Sequence, residues 1–99
     1  MEDILLRLTD QHDKEVQMAF ECIGCGMWHS FRIEDNTGRN VPVWQWNGSM
    51  NNPTFSPSLL VNGGTDEQCH LFVKDGKIEY LNDCYHDLRG RTVDMIPVS

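Results

Sequence analysis

Residues Cys69-His70-Leu71-Phe72-Val73-Lys74-Asp75-Gly76-Lys77-Ile78-Glu79-Tyr80-Leu81-Asn82-Asp83-Cys84-Tyr85-His86 carry two Cys/His pairs around the dipeptide Asp75-Gly76. Aspartate followed by glycine is a strong two-residue hairpin signal, because both positions of the turn need positive φ. Such a turn sets Lys74 opposite Lys77, Val73 opposite Ile78 and Leu71 opposite Tyr80. Leu71, Val73, Ile78 and Tyr80 then form one apolar face. Cys69 has the parity of that face and His70 the opposite one, so adjacent residues point to opposite sides of the sheet. A closed hairpin also returns its ends to one neighbourhood, which lets Cys69 and Cys84 meet across 14 intervening residues.

The same period of two runs through the rest of the chain. Val16, Met18, Phe20 and Cys22 alternate with polar or small residues and predict a half-buried strand ending on Cys22. His29, Phe31 and Ile33 share one face of the next strand, making residues 16–34 a hairpin with Cys22-Ile23-Gly24-Cys25-Gly26 at its tip. Residues 41–46 predict an extended segment with Trp44 and Trp46 on one side, and Asn47-Gly48 a turn. Pro53 and Pro57 bracket Thr54-Phe55-Ser56, which excludes this tripeptide from the middle of a helix or a central strand. Ser58 to Val61 predicts a strand, Asn82 to Gly90 a loop or one helical turn, and Arg91 to Val98 a last strand with Val93 and Met95 on one side. Ile4, Leu5, Leu6 and Leu8 fit either a short helix or a strand.

No long helical period and no internal repeat interrupts this pattern. The expected fold is a mainly β, small antiparallel domain of six or seven short strands stapled by a zinc site. Ninety-nine residues suit one domain, 1–99. Within it, 1–14 is an N-terminal extension, 16–34 the Cys-x-x-Cys hairpin, 41–61 a Trp/Pro-rich segment and 69–98 the Cys/His hairpin with the last strand.

A hydrophobic content of 39% and no apolar run near the length of a membrane span fit a soluble globular protein, which the N-terminus places in a cytoplasm; in a secreted chain four cysteines could equally be two bridges. The opening MEDILLRLTD puts acids where a secretory signal has a basic flank. Reducing compartments disfavour disulfides and turn clustered Cys and His into candidate metal ligands. A Cys-x-x-Cys turn followed by glycine lets two sulfurs converge on one zinc ion. The expected site joins Cys22, Cys25, Cys69 and Cys84, with His29, His70 and His86 as alternative ligands. Buried structural cysteines and a redox Cys-x-x-Cys are the competing readings. His12, alone in a polar stretch, is expected at the surface.

The formal net charge of -7 argues against a general phosphate-backbone binder and for a protein partner. No phosphate loop, His-Glu-x-x-His, nucleophile elbow or deaminase signature is present. Thr54, Ser56 and Ser58 are expected to bond to local backbone, because no histidine lies near them in sequence. Asp66, Asp83 and Asp87 suit turn caps or the orientation of a ligating histidine. Trp44 and Trp46 form either part of the core or a stacking platform for a partner.

Several of these segments in order resemble a family of small, Cys/His-rich phage and prophage proteins of unknown function that often carry an "ammonia monooxygenase" label. They are Trp44-Gln45-Trp46-Asn47-Gly48, Pro53-Thr54-Phe55-Ser56-Pro57-Ser58, Cys69-His70-x-Phe72-Val73-x-Asp75-Gly76-x-Ile78 and Asp83-Cys84-x-His86-x-Leu88-x-Gly90-x-Thr92-Val93, preceded by Cys22-x-x-Cys25-Gly26-x-x-His29. The match spans roughly 20–96, departing at Tyr85 and Arg89, where members commonly have Thr and Ala. The resemblance implies a phage-encoded protein of the bacterial cytoplasm and supplies no established activity.

The expected function is therefore a zinc-stabilised, non-enzymatic module that binds a host or phage macromolecule, a protein rather than a nucleic acid, as an accessory or anti-defence factor. A metal-dependent enzyme, such as a hydrolase with His29, His70, His86 and Asp83 at an open site, is the alternative. Single-stranded nucleic-acid binding through Trp44 and Trp46, helped by Arg32, Arg39, Arg89 and Arg91, is a weaker one.

Overall fold

The computed structural model describes residues 3–12, 14–38 and 41–97. Their alternating apolar pattern folds into eight strands: β1 (Leu6–Thr9), β2 (Glu15–Cys22), β3 (Met27–Asp35), β4 (Gln45–Trp46), β5 (Phe55–Val61), β6 (Cys69–Lys74), β7 (Lys77–Tyr80) and β8 (Thr92–Asp94). All pairings are antiparallel, in two sheets ordered β1-β2-β3 and β4-β5-β6-β7-β8. No helix among the described residues is long and apolar enough to cross a membrane.

The Asp75-Gly76 hairpin has the register expected of a two-residue turn, with Lys74 opposite Lys77, Val73 opposite Ile78 and Leu71 opposite Tyr80. Both turn residues take positive φ, 49° and 77°. The ambiguous N-terminal segment becomes β1, whose Leu5 neighbour is buried while Leu6 and Leu8 stay exposed. The last strand is shorter than expected, and Val98 lies outside the described residues, as does Arg39.

The two sheets meet on three phenylalanines. Phe20 stacks on Phe31 with centroids 5.7 Å apart, and Phe31 stacks on Phe55 of the other sheet at 4.0 Å. Around them Val16, Met18 and Cys22 of β2 share one buried cluster with Leu59, Cys69, Leu71, Val73, Ile78 and Tyr80. Removing each large apolar side chain from water is worth about 1.5–3 kcal/mol, so this seam is the main source of cohesion between the sheets.

β5 departs from the expected pattern. It runs from Phe55 through Pro57 as a central strand, which the flanking prolines had argued against. The register explains how: Phe55 pairs with Val73 and Leu59 with Leu71, so Ser56, Pro57 and Ser58 stand opposite the single residue Phe72. A bulge leaves its extra residues out of the ladder, and a residue lacking an N–H is tolerated there. The same distortion re-aims the side chains of Ser56 and Ser58.

Candidate active site and metal centre

Two groups of ligand-type side chains converge where the tip of the β2–β3 hairpin meets the start of β6. Cys22, Cys25, His29 and Cys69 form one, and Cys69, Cys84 and His86 the other, with the ligand atoms in each lying within 4.8 Å of one another. A tetrahedral zinc ion with bonds of about 2.0–2.3 Å sets its ligand atoms roughly 3.3–3.8 Å apart, so small adjustments suffice for the first group. No pair is bridged by a disulfide. β2 delivers Cys22, the turn closed by Gly26 N–H donating to Cys22 C=O brings Cys25 back, and β3 presents His29 inward. Gly26 takes φ 68°, the left-handed conformation that a side chain would resist.

Hydrogen bonds separate the roles of these residues. Among the described residues nothing hydrogen-bonds to the buried His29 Nε2, an expensive state for an imidazole nitrogen unless a cation meets it. His86 Nδ1, in contrast, accepts from the Leu88 N–H at 3.3 Å, which places the ring proton on Nε2, 3.4 Å from Cys69 Sγ. His86 is thereby a donor to the Cys69 sulfur. Cys84 Sγ–H donates to His70 C=O at 3.0 Å and its sulfur accepts from His70 N–H at 3.1 Å, while lying 3.9 Å from Cys69 Sγ.

The sulfurs crowd enough to perturb one another. Donation from Cys69 holds the Cys22 thiol far below its ordinary 9.0, and the same contact, with burial and the Cys22 charge, drives Cys69 the other way. Burial raises Cys25, reinforced by that charge. Burial and the bond to Cys22 likewise raise Tyr80, whose hydroxyl sits 3.1 Å from Cys22 Sγ. A cluster that retains a sulfur anion among shared protons is suited to a cation, whose binding displaces those protons.

On the opposite face of β6 the second constellation appears. Ser58 Oγ lies 3.0 Å from His70 Nε2. His70 Nδ1 lies 3.0 and 3.3 Å from the two carboxylate oxygens of Asp83. One tautomer satisfies both ends: Nδ1–H donates to Asp83, leaving Nε2 to accept from the Ser58 hydroxyl. Gln68 Nε2 donates to Asp83 Oδ2 at 3.0 Å and to the Asp83 carbonyl at 3.1 Å, holding the carboxylate in place. The order of hydrogen bonds is that of a Ser-His-Asp triad, in which the acid fixes the imidazole and the imidazole receives the hydroxyl proton.

The histidines expected as a shared open site are thus dispersed. His29 belongs with Cys22, Cys25 and Cys69, His86 sits beside Cys69 and Cys84, and His70 faces Ser58 and Asp83. Of the four cysteines expected to share one metal, Cys84 falls in the second group. Ser58, expected to bond only to local backbone, instead reaches a histidine twelve residues away. Thr54 bonds to Asp75 across the neighbouring turn, and Ser56 is exposed. Asp66 and Asp87 are exposed, as is His12.

Trp44 and Trp46 are half-buried against the core. Their ring N–H groups donate to the Ser58 and Ser49 carbonyls, and their rings pack on Phe31 and Phe55.

Fold and site together define a small antiparallel β protein with a Ser-His-Asp hydrogen-bond relay beside a Cys/His centre able to hold a metal ion. The chain belongs to the family described as bacterial ubiquitination-like system serine protease (BubE), whose profile matches residues 2–81. No curated protein and no solved structure matches it. This membership overturns the expectation of a non-enzymatic accessory or anti-defence module, because the family is one of enzymes. Ser58 has no signature in adjacent sequence, since its pairing with His70 is made by strand register rather than by spacing.

Proposed function

We propose that this protein is a serine protease in which Ser58 is the nucleophile, His70 the general base and acid, and Asp83 the group that orients His70. The observation that carries this is the unbroken hydrogen-bond relay from Ser58 Oγ through the His70 ring to Asp83. In the acylation step His70 Nε2 takes the Ser58 proton as Oγ attacks the carbonyl carbon of the substrate. His70 then returns that proton to the departing amine. Water, deprotonated by the same nitrogen, releases the acyl group and restores Ser58. The family description supports peptide-bond chemistry within a bacterial ubiquitination-like system.

Zinc is the proposed metal, with Cys22, Cys25, His29 and Cys69 as ligands and His86 as hydrogen-bond donor to the Cys69 sulfur. When bound, the ion supplies a crosslink between the β2–β3 hairpin and the start of β6, where His70 follows Cys69 directly. The catalytic relay itself uses only side chains of the chain. Cys84 completes the support by clamping the His70 backbone from the other side.

Labelling with a fluorophosphonate, which phosphonylates activated serines with loss of fluoride irrespective of substrate preference, tests the assignment. Mass mapping is expected to find the adduct on Ser58, lost in Ser58→Ala and greatly slowed in His70→Ala. An unlabelled Ser58, or one labelled equally fast without His70, overturns the proposal.

A further inference from the structure

We infer that the protein binds its substrate as an extended peptide whose main chain adds to the free edge of β5 at Leu60, beside Ser58. The inference rests on the protease assignment and extends it to the class and pose of the substrate.

β4 covers β5 only at Ser56 and Phe55, through Gln45 and Trp46. Trp44 then turns away, its backbone N–H donating to Arg32 C=O of the other sheet. Its indole N–H caps the Ser58 carbonyl at 3.1 Å, which fixes the direction of that carbonyl toward the β4 side. Backbone groups two residues apart on a strand point the same way, so those of Leu60 also face the β4 side.

The partner strand agrees. Leu60 stands opposite His70, but the His70 N–H goes to Cys84 Sγ and its C=O accepts from Leu81 N–H and Cys84 Sγ. Leu60 and His70 are therefore a non-hydrogen-bonded pair. Among the described residues nothing pairs with the outward N–H and C=O of Leu60, which is half exposed at 51%. A pair of unmet main-chain groups at a strand edge is what an extended peptide recognises, by the same bonds that build the sheet.

The geometry also directs the peptide to the nucleophile. Leu60 and Ser58 are two residues apart, about 6.6 Å along the strand. The Trp44 indole closes the edge at Ser58, so a peptide paired at Leu60 has to leave the plane of the sheet there. It rises onto the outward face, where Ser58 and His70 meet. A depression of about 240 Å³ is lined by Gln45, Trp46, Asn47, Thr54 and Ser56, the last of which is two residues from Ser58 on β5. It receives a substrate side chain on the far side of the scissile bond from the residue paired with Leu60.

A bacterial proteome digested to peptides supplies every local sequence, and mass spectrometry of cut sites yields a decapeptide spanning the best-cleaved bond. Backbone N-methylation of that decapeptide, one amide at a time, is expected to raise KM about tenfold at the position paired with Leu60 and little at its neighbours. Leu60→Pro, which removes the edge donor from a position that makes no ladder bond, is expected to raise KM by a similar factor. Fluorophosphonate labelling of Ser58 should proceed at the wild-type rate in that variant. Uniform tolerance of N-methylation overturns edge pairing, and so does a digest left uncut by protein that labels at Ser58. Should Leu60→Pro fail to fold, the N-methyl series on the wild-type protein decides alone. Absence of labelling in the wild type instead removes the protease assignment itself.

Discussion

Ser58 and His70 sit diagonally across two neighbouring strands of one sheet, and a bulge in β5 lets their side chains close to 3.0 Å. In unbulged pairing Ser58 would stand opposite Phe72, with His70 one diagonal step away and roughly 7–8 Å distant between Cα atoms. The two extra residues of Ser56-Pro57-Ser58 bend the strand and swing the hydroxyl toward the ring. The contact between Ser58 and His70 is thus produced by a local distortion of β5.

Asp83→Asn tests the orienting role. The amide can present its NH2 group to Nδ1, which favours the tautomer with the proton on Nε2 and leaves no base for Ser58. Loss of the orienting acid costs triad enzymes about 10⁴ in kcat, and a similar fall of about 10³–10⁴ is expected here with KM little changed. Asp83 is half exposed, so urea unfolding of the variant should match the wild type within about 0.5 kcal/mol. A fall in kcat accompanied by a comparable loss of stability would show that the residue is merely structural.

Metal removal should act on fold and activity together. Cys22, Cys25 and His29 of the β2–β3 hairpin would be joined to Cys69 of β6, and in a chain of 99 residues such a crosslink is a large part of the stability. Chelation is expected to destabilise by at least about 3 kcal/mol, a drop in Tm of roughly 12–24 °C. The ligand assignment makes a sharper claim. Purified His29→Ala should bind less than one zinc per chain, whereas Cys84→Ala should keep one zinc and lose kcat through a loosened His70. Elemental analysis with the reverse outcome would assign Cys84 to the metal.

Gly24→Ala isolates the contact beneath the Cys-x-x-Cys loop. A Cβ at Gly24 would stand 2.3–2.5 Å from three atoms of the His86 ring. That ring is held edge-on against Tyr80, with centroids 4.5 Å apart, and by the Leu88 N–H. Overpacking of this kind costs about 1–3 kcal/mol. Because displacement of His86 also removes the donor to Cys69, zinc affinity should fall about 10–100-fold, which competition with a chromogenic chelator can measure.

The hairpin register around Asp75-Gly76, the inward faces of β2 and β3 and the opposite facing of Cys69 and His70 all follow from alternation in the sequence, because a period of two survives folding unchanged. The active site was less legible. Its serine lies in a proline-flanked segment whose strand character depends on a bulge, and a bulge has no signature in hydrophobic alternation. The signal that was available is the pairing of Ser58–Val61 with Cys69–Lys74 across the intervening turn, which puts Ser58 and His70 on one face. The division of labour between His29 and Cys84 was not legible either. It depends on which buried nitrogen lacks a partner and which thiol has two.

Asp10 provides a pH-dependent element far from the active site. Burial alone would raise its carboxyl, but the Glu15 and Lys14 backbone N–H groups that donate to it, with His12 nearby, hold it below its ordinary 3.8. A carboxyl lowered in the folded state stabilises the fold above its unfolded value and loses that contribution as pH falls through the folded one. These bonds close the turn between β1 and β2, so Asp10→Ala should lower the urea midpoint at pH 7. The difference from wild type should shrink as pH falls below 3.8, because protonation abolishes in the wild type what the substitution removes. Comparing the two proteins at each pH cancels the acid lability of the metal centre, which both share. A difference that persists undiminished at pH 3 would mean that the turn is held by the shape of the side chain and not by its charge.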